Sequence, residues 1–353
     1  MHVLCKGKSA LFFVLFALVA AGYAAEVKHE FIAVDNGRNN LIYLNQLTDD
    51  KWVTAIPGGS RDIQLLGDDK ILVSHGNGCA EYYLSSGEKA DWEVTEFSNV
   101  NTARRLPNGN TMLGANTNGI TFYEISPDKQ EVAKIELPSE NNLRLMRVYD
   151  GNVLFTSAAG GWRVKETNSD GEIVWEATLP EKGYKAIKLP NGNVLATSGE
   201  DARIVELDYD SKEIVWEAGG ESNFEGLDWF SGFDTLANGN VVCANWLGHG
   251  NDGIEPHLVE FDEDNNLVWS WEDHETAAQI TNVLILDDKN PDDTPVLDPG
   301  LRVNHHGPDR GVELRIMGVR QVRADPRESV FSLRGRRVRT VCPAAAPWIF
   351  TRE

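Results

Sequence analysis

One five-residue turn recurs along the chain and constrains its fold more than any other feature. Leu-Pro-Asn-Gly-Asn occurs at 106–110 and again at 189–193, and a near copy, Leu-Ala-Asn-Gly-Asn, occupies 236–240. Asn-Gly favours a two-residue β-hairpin loop, because both central residues of that loop need a positive φ. The spacing of the turns indicates a period of roughly 40 residues, which is the length of one β-propeller blade.

Each repeat contains the same four β-segments. An inner strand leads into the turn, and three further strands follow, as at 193–198, 203–208 and 213–218. The segments are rich in β-branched and aromatic residues and have no helical period. Repeats with this plan begin near Asp62, Thr102, Arg144, Lys185 and Gly232.

Two residue types recur at fixed places in these repeats. We expect the tryptophans to pack between neighbouring sheets and the glutamates to satisfy turn groups. The tryptophan column contains Trp52, Trp92, Trp175, Trp216 and Trp269, with Ala133 in the third repeat, and the glutamate column contains Glu124, Glu166, Glu206 and Glu260.

The N-terminal repeat lacks an inner strand, and the C-terminal end supplies one. The segment 281–290 aligns with 184–193 up to the turn. Pairing it with the strand near Phe31 would close the ring and remove its open edge. The sequence therefore predicts an all-β fold, a six-bladed β-propeller over residues 26–290, closed by pairing the N-terminal strands with a C-terminal inner strand.

The fourth-strand motif Ile-Val-Trp-Glu and the Leu-Pro-Asn-Gly-Asn turns resemble the PQQ-like and arylsulfotransferase-type β-propeller repeats of secreted bacterial proteins. The resemblance covers about residues 30–290 and implies this kind of blade. It does not imply a bound quinone, because the quinoproteins of that superfamily have eight blades. No histidine of this chain matches an arylsulfotransferase nucleophile, and a fold alone does not define a function.

Both ends of the chain differ from the repeats. Residues 1–24 read as a signal peptide, with Lys6 and Lys8 before the apolar run 10–22, so we expect export to the periplasm or the cell exterior. An uncleaved anchor is the alternative.

After residue 290 lysine disappears and eleven arginines occur. We expect low order in this tail, 291–353, and interpret it as out-of-frame or read-through sequence, or else as a basic tail that docks on the acidic ring or on a partner.

The bulk composition excludes some classes of partner. The formal net charge is −21, which repels nucleic acids and anionic membrane surfaces. Of the four cysteines, Cys79 and Cys243 are predicted to be small buried residues, and a bridge between them is the alternative. We expect a monomer without a cofactor.

Candidate site residues collect on the loops that share one end of a propeller. The long loop 245–257 contains Trp246, His249, Asp252 and His257, and the loop 74–78 contains His75. His249 and His75 are the candidate catalytic residues. A bound metal is the alternative for these groups, although their spacing matches no zinc motif. An ordered, hydrogen-bonded loop would also account for them.

Cationic and aromatic residues complete the predicted ligand site. Arg144 and Lys185 begin inner strands and would create a cationic spot for an anionic group, unless carboxylates pair with them. Trp229 lies among acidic residues in the loop 219–232 and, like Trp246, would contact an apolar face of the ligand. The alternatives are that the loop 219–232 only plugs the channel and that Trp246 only covers the core.

Three functions fit these features. The first is a binding module for a small polar or anionic ligand or a glycan. The second is an enzyme, a transferase, lyase or hydrolase, that uses a loop histidine. The third is a structural ring that binds a protein partner.

Overall fold

The computed structural model describes residues 27–248 and 254–287, together with the strands at 319–323 and 348–352. Apart from these two strands, the predicted tail lies outside the described residues, as does the predicted signal peptide. In the described part of the chain, six four-stranded antiparallel sheets form. This confirms the prediction of an all-β fold with six propeller blades.

The blades use the strands in chain order, apart from the closing strand. Blade 1 contains β1 (Glu30–Asp35), β2 (Asn40–Asn45) and β3 (Asp50–Ala55), and blade 2 contains β4 (Ile63–Gly67), β5 (Lys70–His75), β6 (Gly78–Tyr83) and β7 (Lys89–Val94). Blade 3 contains β8 (Val100–Arg105), β9 (Thr111–Thr117), β10 (Gly119–Ile125) and β11 (Glu131–Leu137), and blade 4 contains β12 (Met146–Tyr149), β13 (Asn152–Ser157), β14 (Arg163–Thr167) and β15 (Ile173–Thr178). Blade 5 contains β16 (Gly183–Lys188), β17 (Val194–Ser198), a 3₁₀ turn (Gly199–Asp201), β18 (Arg203–Leu207) and β19 (Ile214–Gly219), and blade 6 contains β20 (Phe230–Thr235), β21 (Val241–Asn245), β22 (Leu258–Phe261) and β23 (Leu267–Trp271).

The ring closes through β24 (Ile280–Ile285), which becomes the inner strand of blade 1. It pairs antiparallel with β1, so that Phe31 lies opposite Ile285 and Val34 opposite Asn282. The predicted closure by a C-terminal inner strand is therefore confirmed. Outside the ring, β25 (Val319–Arg323) pairs antiparallel with β26 (Trp348–Arg352).

The Leu-Pro-Asn-Gly-Asn turns differ from the predicted two-residue loops. In the fifth blade the Gly192 amide donates to the Leu189 carbonyl, and the Leu189 amide donates to the Asn193 carbonyl. Only the glycine has a positive φ, of 93°. The expectation of positive φ at both central residues was wrong, because proline favours the second position of a type I turn, which places Pro-Asn at its centre and leaves the glycine to follow.

A true two-residue turn occurs in blade 4 instead. Asp150 and Gly151 both have positive φ, and the residues on either side of them pair directly. This connection is shorter than the five residues between Lys188 and Val194. The shorter turn shifts the preceding residues of blade 4 by one position relative to those of blade 5. Arg144 therefore lies one residue nearer to the start of its strand than the sequence alignment with Lys185 predicts.

The tryptophan column joins neighbouring blades, as expected. Each of four indoles donates its N–H to a backbone carbonyl in the turn between the third and fourth strands of the next blade. The pairs are Trp52 with Leu84 at 3.0 Å, Trp92 with Pro127 at 3.0 Å, Trp175 with Tyr209 at 2.8 Å, and Trp216 with Glu263 at 2.8 Å.

The glutamate column holds the asparagine side chains of the hairpin turns. Glu206 accepts hydrogen bonds from Asn191 at 3.0 Å and from Asn193 at 2.6 Å. Glu124, Glu166 and Glu260 accept equivalent bonds in their own blades. The interpretation of this column as a structural one is therefore confirmed.

The hydrophobic core is divided among the blade interfaces. The described residues form six buried clusters, and each cluster joins two neighbouring sheets, including blade 6 against blade 1. Cys79 and Cys243 lie in these clusters as buried free thiols. Among the residues that the structure describes, no helix has the length and apolar character needed to cross a membrane.

Candidate functional site

The six inner strands surround a central channel, and buried polar side chains fill it. Asp62, just before β4, has no exposed surface. Its carboxylate accepts hydrogen bonds from Thr102 of blade 3, from Arg147 of blade 4 at 3.3 Å, and from Asn282 of blade 1 at 3.3 Å. Residues from four blades therefore meet at one carboxylate and close the channel beneath the loop face.

Above this network, two opposite blades contact each other across the channel. Arg61 of blade 2 donates a hydrogen bond from Nη1 to the Tyr184 hydroxyl of blade 5, at 3.2 Å. The Arg61 Nε atom is buried and has no hydrogen-bond partner among the described residues. The guanidinium thus keeps donor capacity beyond its bond to the tyrosine.

Arg144 of blade 4 approaches the same place. It is half-buried, and its charge interacts with both Arg61 and Tyr184. Burial lowers the pKa of Arg144 below its usual range, and the Arg61 charge adds to this effect. Within the described residues no carboxylate lies within 4.0 Å of either guanidinium. We call the group of Arg61, Arg144 and Tyr184 the mouth.

Lys185 lies deeper than predicted. Its side chain is fully buried, and Nζ is 2.6 Å from the Phe233 carbonyl oxygen and 4.8 Å from the centroid of the Phe233 ring. Lys185 therefore contributes charge to the channel wall, while Arg61 takes the place at the loop face.

The predicted aromatic residues form a pair at the start of blade 6. The Trp229 and Trp246 rings meet edge to face at 5.7 Å, and the Trp246 amide donates to the Trp229 carbonyl at 2.7 Å. The Lys182 ammonium lies 5.4 Å from the Trp229 ring centroid. Lys182 directly precedes β16 and is two residues from Tyr184 in the sequence.

The two described histidine candidates are buried and lie apart in sequence and in blade. His75 Nδ1 accepts from the Asn77 amide at 3.3 Å, and burial lowers the pKa of His75. His257 packs against Trp271 and His274. Burial, assisted by the neighbouring His274, lowers the pKa of His257 to about 4. Both imidazoles are therefore neutral near pH 7.

His249 and Asp252 lie outside the described residues, so their predicted roles stay predictions. In the described part of the chain, no group of three or more His, Cys, Asp or Glu side chains is arranged to hold a metal ion.

Arg61 and Tyr184 were not among the site residues predicted from the sequence. Each immediately precedes a residue that was singled out, namely Asp62 and Lys185. The sequence pattern that could have identified them is a basic residue at the start of the inner strand in blade 2 and an aromatic residue at the start of the inner strand in blade 5. These two blades face each other in a six-bladed ring.

Comparison with known proteins agrees with the repeat pattern. A family model described as the outer membrane protein assembly factor BamB matches residues 139–245 and 163–288. The matched region covers blades 4 to 6 and the closing strand. No curated protein is significantly similar in sequence to this chain.

Comparison with solved structures finds several similar chains. A protein of unknown function from Bacteroides caccae superposes with a TM-score of 0.62 at 23% identity, and the match covers 74% of this chain and 100% of that one. The WD40 β-propeller domain of Doa1 gives 0.50 at 13% identity, covering 69% and 79%. A catalytically inactive virginiamycin B lyase from Staphylococcus aureus gives 0.48 at 14% identity, covering 69% and 84%.

At 23% identity the likeness to the Bacteroides caccae protein establishes the fold and leaves the chemistry open. The family match and the blade pattern agree with each other and with the tryptophan and turn motifs. The chain is a six-bladed β-propeller, and residues 139–288 are similar to the family model described as the outer membrane protein assembly factor BamB.

Proposed function

We propose that this propeller is an exported binding module that holds an anionic group of a small ligand at the mouth. The observation that carries the proposal is the convergence of Arg61 and Arg144, with no carboxylate within ion-pair distance among the described residues. The two positive charges repel each other, and with no acidic partner among the described residues, an anion between them would lower this cost.

The chemistry of the mouth supports this function. Guanidinium groups present planar forks of N–H donors that match carboxylate, sulfate and phosphate oxygens. The Tyr184 hydroxyl adds a further polar group at 3.2 Å from Arg61. The Trp229 and Trp246 pair, which Lys182 links to the start of blade 5, would contact an apolar or sugar portion of the ligand.

A thermal-shift screen tests the proposal. The chain without residues 1–24 is heated with carboxylates, acidic sugars, sulfates and phosphates. A ligand at 100 times its Kd stabilises the folded state by about 2.7 kcal/mol. We expect the shift to disappear in Arg144→Gln and to persist in Lys182→Gln, because Lys182 already pairs with Glu200 at 3.0 Å. A panel without any shift, or equal shifts in both variants, would contradict the proposal.

Export is part of the same proposal and rests on the N-terminal sequence. Lys6 and Lys8 precede the apolar run 10–22, which has the composition of a signal-peptide core. Mass spectrometry of the periplasmic fraction should find a chain that begins close to residue 25. A full-length chain confined to the cytoplasm would contradict this part.

A partner-binding ring is the second candidate, because outer strands expose aliphatic side chains. Val174 on β15 and Val215 on β19 are 51% and 56% exposed, and in the described part of the chain their strands are the outer edges of neighbouring blades. A photo-crosslinking residue placed at Val174 should give one defined adduct in cells if a partner binds there. The absence of an adduct would exclude this edge.

A further inference from the structure

Three hairpin turns of the ring, in blades 3, 5 and 6, contain the same Asn-Gly pair. In each turn the glycine amide donates to the carbonyl of the leucine that begins the turn, at 2.9 Å in blades 3 and 5 and at 3.0 Å in blade 6. The Oδ1 atom of the first asparagine accepts a hydrogen bond from the amide of the second, at 2.9, 3.0 and 2.8 Å. The three turns are therefore a matched set with one pattern of main-chain contacts.

The side-chain amides of the first asparagines are held differently. In blade 3 the Asn108 Nδ2 atom donates to Glu124 at 3.0 Å, and in blade 5 the Asn191 Nδ2 atom donates to Glu206 at 3.0 Å. In blade 6, the exposed Asn238 side-chain amide donates no hydrogen bond to any residue that the structure describes.

The glutamate of blade 6 is engaged elsewhere. Glu260 accepts a hydrogen bond from Asn240 at 2.6 Å with Oε1, and its Oε2 atom lies 2.9 Å from the His29 Nε2 atom of blade 1. The carboxylate that holds the turn in blades 3 and 5 therefore also bridges to the neighbouring blade in blade 6, and Asn238 is left without it.

The turn of blade 6 also lacks the proline of the other two. Pro107 and Pro190 precede the asparagine in blades 3 and 5, and Ala237 takes that place in blade 6. Proline fixes φ and reduces the freedom of the main chain, whereas alanine does not. Both the main chain and the side chain at Asn238 are therefore less restrained than those at Asn108 and Asn191.

An asparagine followed by glycine is chemically labile. The glycine nitrogen attacks the asparagine Cγ atom, a Cγ–N bond forms, the Cγ–Nδ2 bond breaks, and ammonia leaves with the proton of the glycine amide. Water then opens the resulting succinimide to aspartate or isoaspartate. A side chain held by a hydrogen bond must release it before Cγ can approach the glycine nitrogen. A nearby carboxylate also opposes loss of the amide proton, because it disfavours negative charge.

Three other Asn-Gly pairs occur in the chain, at 36–37, 77–78 and 118–119. The Gly37 amide donates to the Asp35 carboxylate at 2.9 Å. Gly78 and Gly119 lie within strands, where they pair with His75 and Thr117. These contacts restrict the main-chain rotation that closure of the succinimide ring requires.

We propose that Asn238 is a site of spontaneous deamidation, and that the glutamate column protects the equivalent asparagines, Asn108 and Asn191. The co-reactant is water, and the products are ammonia and a chain with aspartate or isoaspartate at position 238. This modification site is independent of the proposed anion-binding function.

The fold should also tolerate aspartate better at position 238 than at position 191. Aspartate at 191 would replace a hydrogen bond to Glu206 by two carboxylates about 3 Å apart. Aspartate at 238 breaks no side-chain hydrogen bond to a described glutamate, and its carboxylate can still accept from the Asn240 amide. Asn191→Asp should therefore lower the melting temperature, and Asn238→Asp should leave it close to that of the wild type. Equal losses would contradict this tolerance.

Peptide mapping by mass spectrometry tests the site itself. The purified protein is incubated at mildly alkaline pH and sampled over time, and the rate of deamidation is measured at each Asn-Gly pair. We expect Asn238 to react at least about fivefold faster than Asn108 and Asn191, which is the effect of one hydrogen bond that must break first. Similar rates at the three positions would overturn the proposal.

Two variants test the cause in opposite directions. Glu206→Ala removes the acceptor of Asn191 and should raise the rate at Asn191 about fivefold, while the rate at Asn108 in the same sample is the internal control. Ala237→Pro gives blade 6 the proline of the matched turns and should slow the reaction at Asn238. An unchanged rate at Asn191 in folded Glu206→Ala would overturn the protective role of the glutamates. If Glu206→Ala does not fold, an unchanged rate at Asn238 in Ala237→Pro, together with equal wild-type rates, would overturn the proposal instead.

Discussion

Arg61 and Tyr184 are 123 residues apart in the chain, yet the guanidinium donates a hydrogen bond to the tyrosine hydroxyl at 3.2 Å. They belong to blades 2 and 5, which are opposite each other in the ring. The bond therefore spans the mouth and ties together two blades that share no sheet and no hydrophobic cluster. It holds a partly buried cation between these two blades.

The cross-channel bond should contribute to stability. Tyr184→Phe removes the hydroxyl and leaves the rest of the ring, so we expect the free energy of unfolding to fall by about 1 kcal/mol. Urea unfolding measures this. Tyr83→Phe is the control, because Tyr83 is 38% exposed and its hydroxyl has no hydrogen bond among the described residues. Equal effects of the two substitutions would show that the bond adds nothing.

The stability of the interface between blades 6 and 1 should depend on pH through the protonation of His29. This buried imidazole lies 2.9 Å from Glu260 of blade 6 and 3.3 Å from Asp287, which follows the closing strand. Burial alone lowers the pKa of His29, but the hydrogen bonds and charges of Glu260 and Asp287 together outweigh it, so the pKa lies above its usual value of 6.5.

A raised histidine pKa stabilises the folded state at low pH. The contribution is fully present below pH 6.5 and is lost as the pH rises through the raised value. The difference in unfolding free energy between the wild type and His29→Gln should therefore shrink between pH 5.5 and pH 9, as measured by denaturant unfolding. A difference that stays constant or grows with pH would contradict the stabilising role of the positively charged His29 side chain.

The tryptophan column should stabilise the folded protein through the hydrogen bonds of its indole N–H groups as well as through the apolar surface that it buries. The Trp175 indole stacks on Tyr209 at 4.9 Å and donates to the Tyr209 carbonyl at 2.8 Å. Trp175→Phe should cost about 1–3 kcal/mol, because the carbonyl is left unpaired. Trp175→Ala should cost about 3–5 kcal/mol, because packing is lost too. Thermal unfolding that ranks the two variants in the reverse order would contradict this account.

A side chain at position Gly232 should not fit in the channel. A Cβ atom there would lie 2.2 Å from the Asn282 Oδ1 atom and 2.8 Å from the Asn282 Cα atom. Gly232→Ala should therefore destabilise the protein by about 1–3 kcal/mol through overpacking. The matched control is Gly58→Ala, whose Cβ would meet its nearest neighbour at an ordinary 3.6 Å. Similar melting temperatures for the two variants would show that the channel is looser than the structure indicates.

The ring could be predicted from the sequence because each blade repeats the same local residue pattern. The turn at 189–193 and the tryptophan at 216 belong to one local unit, and their recurrence alone indicates the number of blades. The strand at Ile280–Ile285 could be paired with the Phe31 strand because it matches the missing part of the first repeat.

The mouth was less predictable, because it depends on contacts between blades. Arg144 was identified, but Arg61 and Tyr184 meet only once the ring has closed. Lys185 was placed at the same level as Arg144 because the two-residue turn at Asp150 and Gly151 was aligned with a longer one. A change of turn type moves every preceding residue along its strand, and the residue pattern of the strand does not reveal it.

The most direct test of the anion site is diffraction from crystals soaked in selenate, a tetrahedral dianion with a strong anomalous signal. The account predicts one anomalous peak bounded by the Arg61 and Arg144 guanidiniums and the Tyr184 hydroxyl, absent from crystals of Arg144→Gln. A mouth without selenium density, in crystals whose Arg61 and Arg144 side chains face open solvent, would contradict it.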